Sequence, residues 1–307
     1  MKKVILAGGS GYIGSVLADF YSESADVIVV LTRGKSSFKG NVRAVQWNGK
    51  DVDKWVEELE GADLLVNLTG KNVNCRYNEK NKAEILNSRL DATAALGKAL
   101  AKLSNPPKVW IQSASATIYR HAEDRPMDEY TGEIGSGFSV DVCNAWEKMF
   151  WDQHTPHTRK VLLRIGIVLG KSDSALPRML RLARFGLGGK QGSGQQYMSW
   201  IHEADVVSVI HWIYNNNDIR GTLNCTSPHP LKNIDFMRTV RKACKVPFGL
   251  STPEWLLGIG AWLIGTETEL VLKSRWVIPQ KLLDAGYVFH FPDLRDALDD
   301  ILKIADA

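Results

Sequence analysis

The chain begins with an apolar run, Lys3-Val-Ile-Leu-Ala7, that passes directly into "GGSGYIG" at residues 8–14. A strand that meets a glycine turn and then a helical pattern commits the N-terminus to a strand–turn–helix unit. Further β-branched or aliphatic runs begin at Val27, Val42, Asp63, Lys108 and Lys160. These runs are continuously apolar and are separated by helical stretches, which implies a parallel sheet covered on both faces. The longest such stretch, from about Asn78 to Leu103, carries Ile85, Leu86, Leu90, Leu96 and Leu100 at helical spacing. The expected fold is α/β, a doubly wound parallel sheet with right-handed crossovers.

Gly8, Gly11 and Gly14 keep the spacing G-x-x-G-x-x-G, directly after a strand and at the opening of a helix. One glycine makes the tight turn, one lets the backbone approach a pyrophosphate, and one lets helix and strand pack closely, while the helix N-terminus offers N–H groups to the phosphates. The pattern points to a dinucleotide in a Rossmann-type domain. The second strand ends Leu31-Thr32-Arg33, with no carboxylate for ribose hydroxyls. An arginine there suits a 2′-phosphate, so NADP(H) is the expected cofactor.

Composition narrows the rest. The 307 residues are 44% hydrophobic and 23% charged, with a net charge of +4 spread along the chain, which does not favour a nucleic-acid partner. Cys75, Cys143, Cys225 and Cys244 stand far apart, and the start shows no signal core, so a reduced, cytoplasmic protein is expected. "HTPH" at 154–157 has a proline inside it and no carboxylate cluster nearby, and no metal is expected. The window "WLLGIGAWLIG" from Trp255 has half the length of a membrane span, so it reads as a buried or docking helix and no membrane partner is expected. Trp110, Trp146, Trp151, Trp200 and Trp212 read as core or lobe-interface residues, with Trp200 also able to touch a substrate. After about Gly170 helical pieces alternate with prolines and the loop "GLGGKQGSGQQ", whose N–H groups suit a phosphate or a flexible link. The expected division is a cofactor domain over residues 1–165 and a smaller mixed lobe over 166–307.

Taken together, "GGSGYIG", "NLTGKNV", "NSRLDAT", "QSASATIY", "CNAWE", "GLGGKQGSGQQYMSWIH" and "RWVIPQKLLDAGYVF" resemble the extended short-chain dehydrogenase/reductase superfamily. The nearest branch is its atypical, sugar-nucleotide epimerase-like family with a DUF1731-type segment at about residues 250–297. The resemblance implies that Gly8, Ser10, Gly11, Tyr12, Ile13 and Gly14 line the pyrophosphate, and that Thr32 and Arg33 meet the adenosine phosphate. It further implies that Leu68, Thr69 and Gly70 lie beside the adenosine ribose, with Arg89 and Glu147 as further cofactor contacts.

That superfamily carries out its proton transfer with a serine, a tyrosine and a lysine four residues beyond the tyrosine. Here Ser113 or Ser115 fills the serine position, but the other two read Cys143 and Glu147. A carboxylate one helical turn from a thiol raises the thiol's pKa, the opposite of activation, so Cys143 reads as a packing residue. Tyr119 and His202 are the alternative proton donors, although a histidine before an acidic helix start is also a common structural element. The expected function is an NADP(H)-dependent oxidoreductase or epimerase-like enzyme acting on a small carbonyl or hydroxyl compound. The resemblance suggests a nucleotide sugar as that compound. The competing expectation is a catalytically silent NADPH-binding protein.

Overall fold

Each of the six apolar runs forms a strand in the computed structural model, which describes residues 1–264 and 267–305. The strands run in chain order as β1 (Lys3–Ala7), β2 (Val27–Thr32), a short β3 (Ser37–Lys39), β4 (Val42–Gln46), β5 (Leu64–Asn67), β6 (Val109–Ser115) and β7 (Arg159–Ile165). Then come β8 (Ile167–Leu169), β9 (Tyr197–Met198), β10 (Trp200–His202), β11 (Gly221–Cys225) and β12 (Leu231–Lys232). Eight strands make one sheet in the order β11-β7-β6-β5-β1-β2-β4-β3, parallel throughout except for β3. The expected doubly wound sheet is present. The strand "GTLNC" was not expected: β11 pairs with β7 in parallel. A cut at residue 165 therefore does not separate the sheet from the rest of the chain.

The helices are α1 (Tyr12–Tyr21), α2 (Glu79–Leu100), α3 (Phe138–Trp151), α4 (Leu176–Leu182) and α5 (Glu203–Asn215), followed by α6 (Asn233–Ala243), α7 (Glu254–Ile264), α8 (Glu269–Leu272), α9 (Gln280–Asp284) and α10 (Leu294–Ala305). Strand alternation divides the sheet's side chains between two cores. Val4, Leu6, Ile28 and Val30 face α1 and α5, while Ile5, Ala7, Val29 and Leu31 face α2 and α3. Fully apolar strands follow from having both faces covered. A third core lies under α4, α6 and α10, where Leu180, Trp200, Phe236 and Leu298 meet. Trp110, Trp146 and Trp200 are buried as expected, which removes Trp200 from contact with any ligand, whereas Trp151 is exposed. Gly265 of the apolar window and Asp306 and Ala307 of the second lobe lie outside the described residues.

Two glycines let α1 start where it does. Gly8 has a φ of +70°, and its N–H donates to Leu31 O at 2.9 Å, turning the chain over the end of β2. At Gly14 a Cβ would sit 2.3 Å from Gly9 O, so α1 rests directly on the backbone of the turn. Gly258 in α7 has nothing within 4 Å of its Cβ position and serves as a control. Gly14→Ala is expected to destabilise the protein by about 1–3 kcal/mol through overpacking, while Gly258→Ala leaves stability equal or slightly raised. Denaturant titration of both variants checks this.

Candidate cofactor and substrate cleft

At the carboxyl end of β1, Gly11 begins α1 with no side-chain cap, leaving the first-turn N–H groups to the cleft. A Cβ on Gly11 would meet only Gly8 O, at 3.7 Å, so the turn is open on that side. Ser10 is exposed and accepts a hydrogen bond from Thr32 Oγ1 at 3.1 Å, tying the turn to the end of β2. Thr32 Oγ1 in turn accepts from Gly34 N at 3.2 Å, which leaves Arg33 exposed at the bend. Ile13 packs against the α1–α5 core. Tyr12 donates its hydroxyl to the Glu203 carboxylate, and burial followed by that carboxylate raises its pKa well above the usual tyrosine range. Tyr12 therefore joins the turn to α5 through its side chain, leaving its backbone N–H at the helix start.

The loop after β5 lies against this turn. Leu68 N donates to Ala7 O at 2.8 Å and Thr69 N to Asn67 Oδ1 at 3.1 Å. Thr69 Oγ1 is buried and has no hydrogen-bond partner among the described residues, 2.9 Å from where a Cβ on Gly8 would sit. A buried hydroxyl without a partner is costly unless something outside the chain satisfies it. Across Gly70 lies the Arg89 guanidinium, with its Cζ 3.0 Å from the Gly70 Cβ position. Arg89 Nη1 bonds only backbone carbonyls, Lys71 O at 3.2 Å and Ile85 O at 2.8 Å, and the group stacks over Trp146 at 5.0 Å. No carboxylate among the described residues pairs with Arg89, and burial lowers its pKa. Arg33, Arg89, the unpartnered Thr69 hydroxyl and the α1 N-terminus are each suited to an anion.

The helix carrying "CNAWE" holds a different arrangement. Glu147 is 8% exposed and both its oxygens accept from Arg164 of β7, Oε1 from Nε and Oε2 from Nη2, each at 2.8 Å. Arg164 Nη1 donates to Tyr119 Oη at 2.8 Å, and Tyr119 Oη lies 3.0 Å from both Asp128 O and Asn224 Oδ1. Cys143 is buried, and burial followed by Glu147 pushes its thiol up to about 12. The lysine position of this helix is occupied by a neutralised carboxylate, and the tyrosine position by an inert thiol.

Both alternative proton donors are buried and already hydrogen-bonded within the chain. Tyr119 is 2% exposed, and its hydroxyl is enclosed by an arginine, an amide and a carbonyl, with burial raising its pKa. His202 is also 2% exposed, its Nδ1 accepts from Ala204 N at 3.1 Å to cap α5, and its ring lies 4.0 Å from that of Phe291. Burial lowers its pKa to about 4, so it is a neutral cap near pH 7. Ser113 is buried at the end of β6. Ser115 is partly exposed, and its Oγ accepts from Thr117 N at 3.2 Å, which leaves its hydrogen free to donate. The glycine-rich loop turns its N–H groups inward, Gly189 to Leu250 O and Gly192 to Thr252 O, so these do not form a phosphate cradle.

The sequence reading missed two cations that contact Thr117, just beyond β6. Lys273 Nζ donates to Thr117 O at 2.9 Å and lies 4.0 Å from Glu269 Oε1. Arg275 Nε donates to Thr117 Oγ1 at 3.0 Å. Burial and then Arg275 lower the Lys273 pKa. Lys273, Glu269, Arg120 and Gly135–Gly137 line a cavity of about 620 Å³ beside the start of α3. The only signal was "KSRW", two cations at alternate positions of an extended segment.

Residues 4–225 match the family described as NAD dependent epimerase/dehydratase, and residues 252–301 match DUF1731, a domain of unknown function. The chain belongs to the NAD dependent epimerase/dehydratase family. The epimerase family protein SSP1921 of Staphylococcus saprophyticus is 31% identical over 303 residues, covering 98% of this chain and 100% of that protein. The epimerase family protein SDR39U1 of Homo sapiens is 29% identical over 306 residues, covering 98% and 99%. The crystal structure of human SDR39U1 (isoform2) with NADPH superposes with a TM-score of 0.87 at 29% identity, covering 98% of this chain and 99% of that one. The expected resemblance and fold therefore hold along nearly the whole chain.

In this epimerase family member burial favours the neutral form of His202, against the Asp300 carboxylate 3.4 Å from its Nε2. The folded pKa of His202, about 4, lies below its unfolded value, so the unfolded state binds the extra proton between about pH 6.5 and pH 4. Stability is expected to be full above about pH 6.5 and to fall by on the order of 3 kcal/mol as pH drops through that window. His202→Asn keeps a capping side chain and should flatten the profile, as read by denaturation midpoints across pH.

Proposed function

We propose that the protein binds NADPH across the carboxyl ends of β1, β2 and β5 and reduces a carbonyl, or oxidises a hydroxyl, on a small molecule in the Lys273 cavity. The observation that carries this reading is the set of anion-seeking groups with no anion in the chain: Arg89 without a carboxylate and Thr69 Oγ1 buried without a partner, beside an uncapped helix start. In this reading Gly8, Ser10, Gly11 and the N–H groups of Tyr12, Ile13 and Gly14 hold the pyrophosphate. Thr32 and Arg33 take the 2′-phosphate, and Leu68, Thr69, Gly70 and Arg89 flank the adenosine half. The NADPH found with human SDR39U1 supports NADPH as the cofactor.

The cofactor, when bound, supplies or accepts hydride. Lys273 gives the proton to the substrate oxygen in reduction, since a buried ammonium beside Arg275 releases it more readily than an exposed one. Ser115, with its hydrogen free, orients that oxygen. Lys273 and Arg275 together favour a substrate carrying negative charge, and a nucleotide sugar meets that condition. Residues 166–307 contribute the substrate side of the cleft.

A second reading, a silent NADPH-binding protein, draws on the neutralised Glu147 and inert Cys143. Calorimetric titration with NADPH and NADH comes first. Arg33→Ala should weaken NADPH at least about tenfold, as expected for one charge-assisted contact, and leave NADH unchanged. Absence of binding by either nucleotide removes both readings. Lys273→Met should retain NADPH affinity but abolish NADPH oxidation by a panel of carbonyl compounds, while oxidation by none of them in the unaltered protein selects the silent reading.

A further inference from the structure

Eight of the fifteen large apolar side chains that stand exposed among the described residues fall between Leu182 and Ile259, so they form a cluster rather than a scatter. Phe185 is 77% exposed, Trp255 68% and Phe248 64%. The segments carrying them are stitched together. Leu250 N donates to Gly186 O at 2.7 Å and Thr252 N to Lys190 O at 2.9 Å, which sets Phe248 and Leu250 alongside Phe185 and Leu187, with α7 following at once. The expected buried or docking helix is thus not buried: Trp255, Leu256 and Ile259 of α7 all stand exposed.

The same surface is basic. Residues 174–190 hold four Lys or Arg and no acid, and residues 236–253 hold another four and no acid. Arg181, Arg184, Lys242 and Lys245 are exposed around the aromatic side chains, and Arg184 reaches the Cys244 sulfur, joining the two segments. Beside Phe185 a cavity of about 490 Å³ repeats the pattern, with Leu180, Ile301 and Leu302 in its wall and Lys171, Arg181 and Arg184 also lining it.

We propose that α7 and the two flanking basic segments form a docking surface for an anionic lipid bilayer. Exposed Trp, Phe and Leu ringed by Lys and Arg suit an interface of acyl chains under anionic headgroups. Beyond Glu254, α7 carries no charge, yet no helix among the described residues is long and apolar enough to cross a membrane. The helix therefore lies in the interface. A second copy of the chain fits poorly, because self-association would bring the two sets of cations face to face. The expectation of no membrane partner rested on the length of the apolar window, which measures spanning and not surface binding.

Flotation of the full chain with vesicles tests the proposal, using phosphatidylcholine alone and phosphatidylcholine mixed with phosphatidylglycerol. Binding is expected only to the mixed vesicles, weakening as salt is raised. Phe185→Ser with Phe248→Ser, and separately Arg181→Ala with Arg184→Ala, should each reduce it, the second pair by about thirtyfold. All four side chains are exposed, and unchanged thermal denaturation shows that the variants fold. Failure to float with either vesicle overturns the proposal. So does a concentration-dependent dimer that Phe185→Ser with Phe248→Ser abolishes, which assigns the face to a second copy. Binding to polyglutamate with none to vesicles assigns it to an acidic protein.

Discussion

The carboxylate of Glu147, buried on α3, needs a cation, and Arg164 of β7 supplies one through two parallel hydrogen bonds of 2.8 Å. The contacts extend outward. Arg164 holds Tyr119, Tyr119 meets Asn224 of β11, and Asn224 Nδ2 donates to Ile278 O at 2.9 Å. Glu129 accepts from Asn224 N at 2.7 Å and from Lys281 N at 3.3 Å. One connected polar network thus joins α3, the last two strands of the sheet and the segment that returns from the DUF1731 match. Removing one member of such a network strands the others without partners in a poorly solvated place.

Glu147 of this network stands where the resemblance places a lysine, while Cys143, at the place of the tyrosine, lies outside the network. Glu147 is held in a structural joint with Arg164. Ser115 remains at the end of β6. Lys273 arrives from the far end of the sequence and is fixed to the same turn by Thr117. The joint that consumes Glu147 also carries the segment that delivers Lys273, so the loss of one pair and the arrival of the other cation belong to one arrangement.

The sheet and its glycine turn were legible because their cause is local. Six continuously apolar runs and a glycine spacing set by backbone contact are visible in any window of the sequence. β11 escaped notice because "GTLNC" is short and half polar, and its place at the sheet edge is decided by pairing with β7. Cofactor candidates at Gly8–Gly14, Arg33 and Thr69–Gly70 lie on three loops, at the carboxyl ends of β1, β2 and β5, which neighbour one another in the sheet. The sequence did not show that Tyr119 and His202 are only 2% exposed, because burial is a property of the assembled core. Lys273 and Arg275 were overlooked because nothing in sequence links residues 273–275 to Thr117.

Central to this account is that Glu147 serves Arg164 and not the cofactor. A double-mutant cycle on Glu147→Ala and Arg164→Ala, with NADPH affinity read on each folded variant, tests that directly. Each single change should cost about 3–5 kcal/mol of stability by leaving a buried charge alone, and the double variant should cost much less than the sum. Contradiction takes a clear form: Glu147→Ala keeps its stability and loses NADPH, which makes the carboxylate a cofactor ligand and Arg164 a bystander.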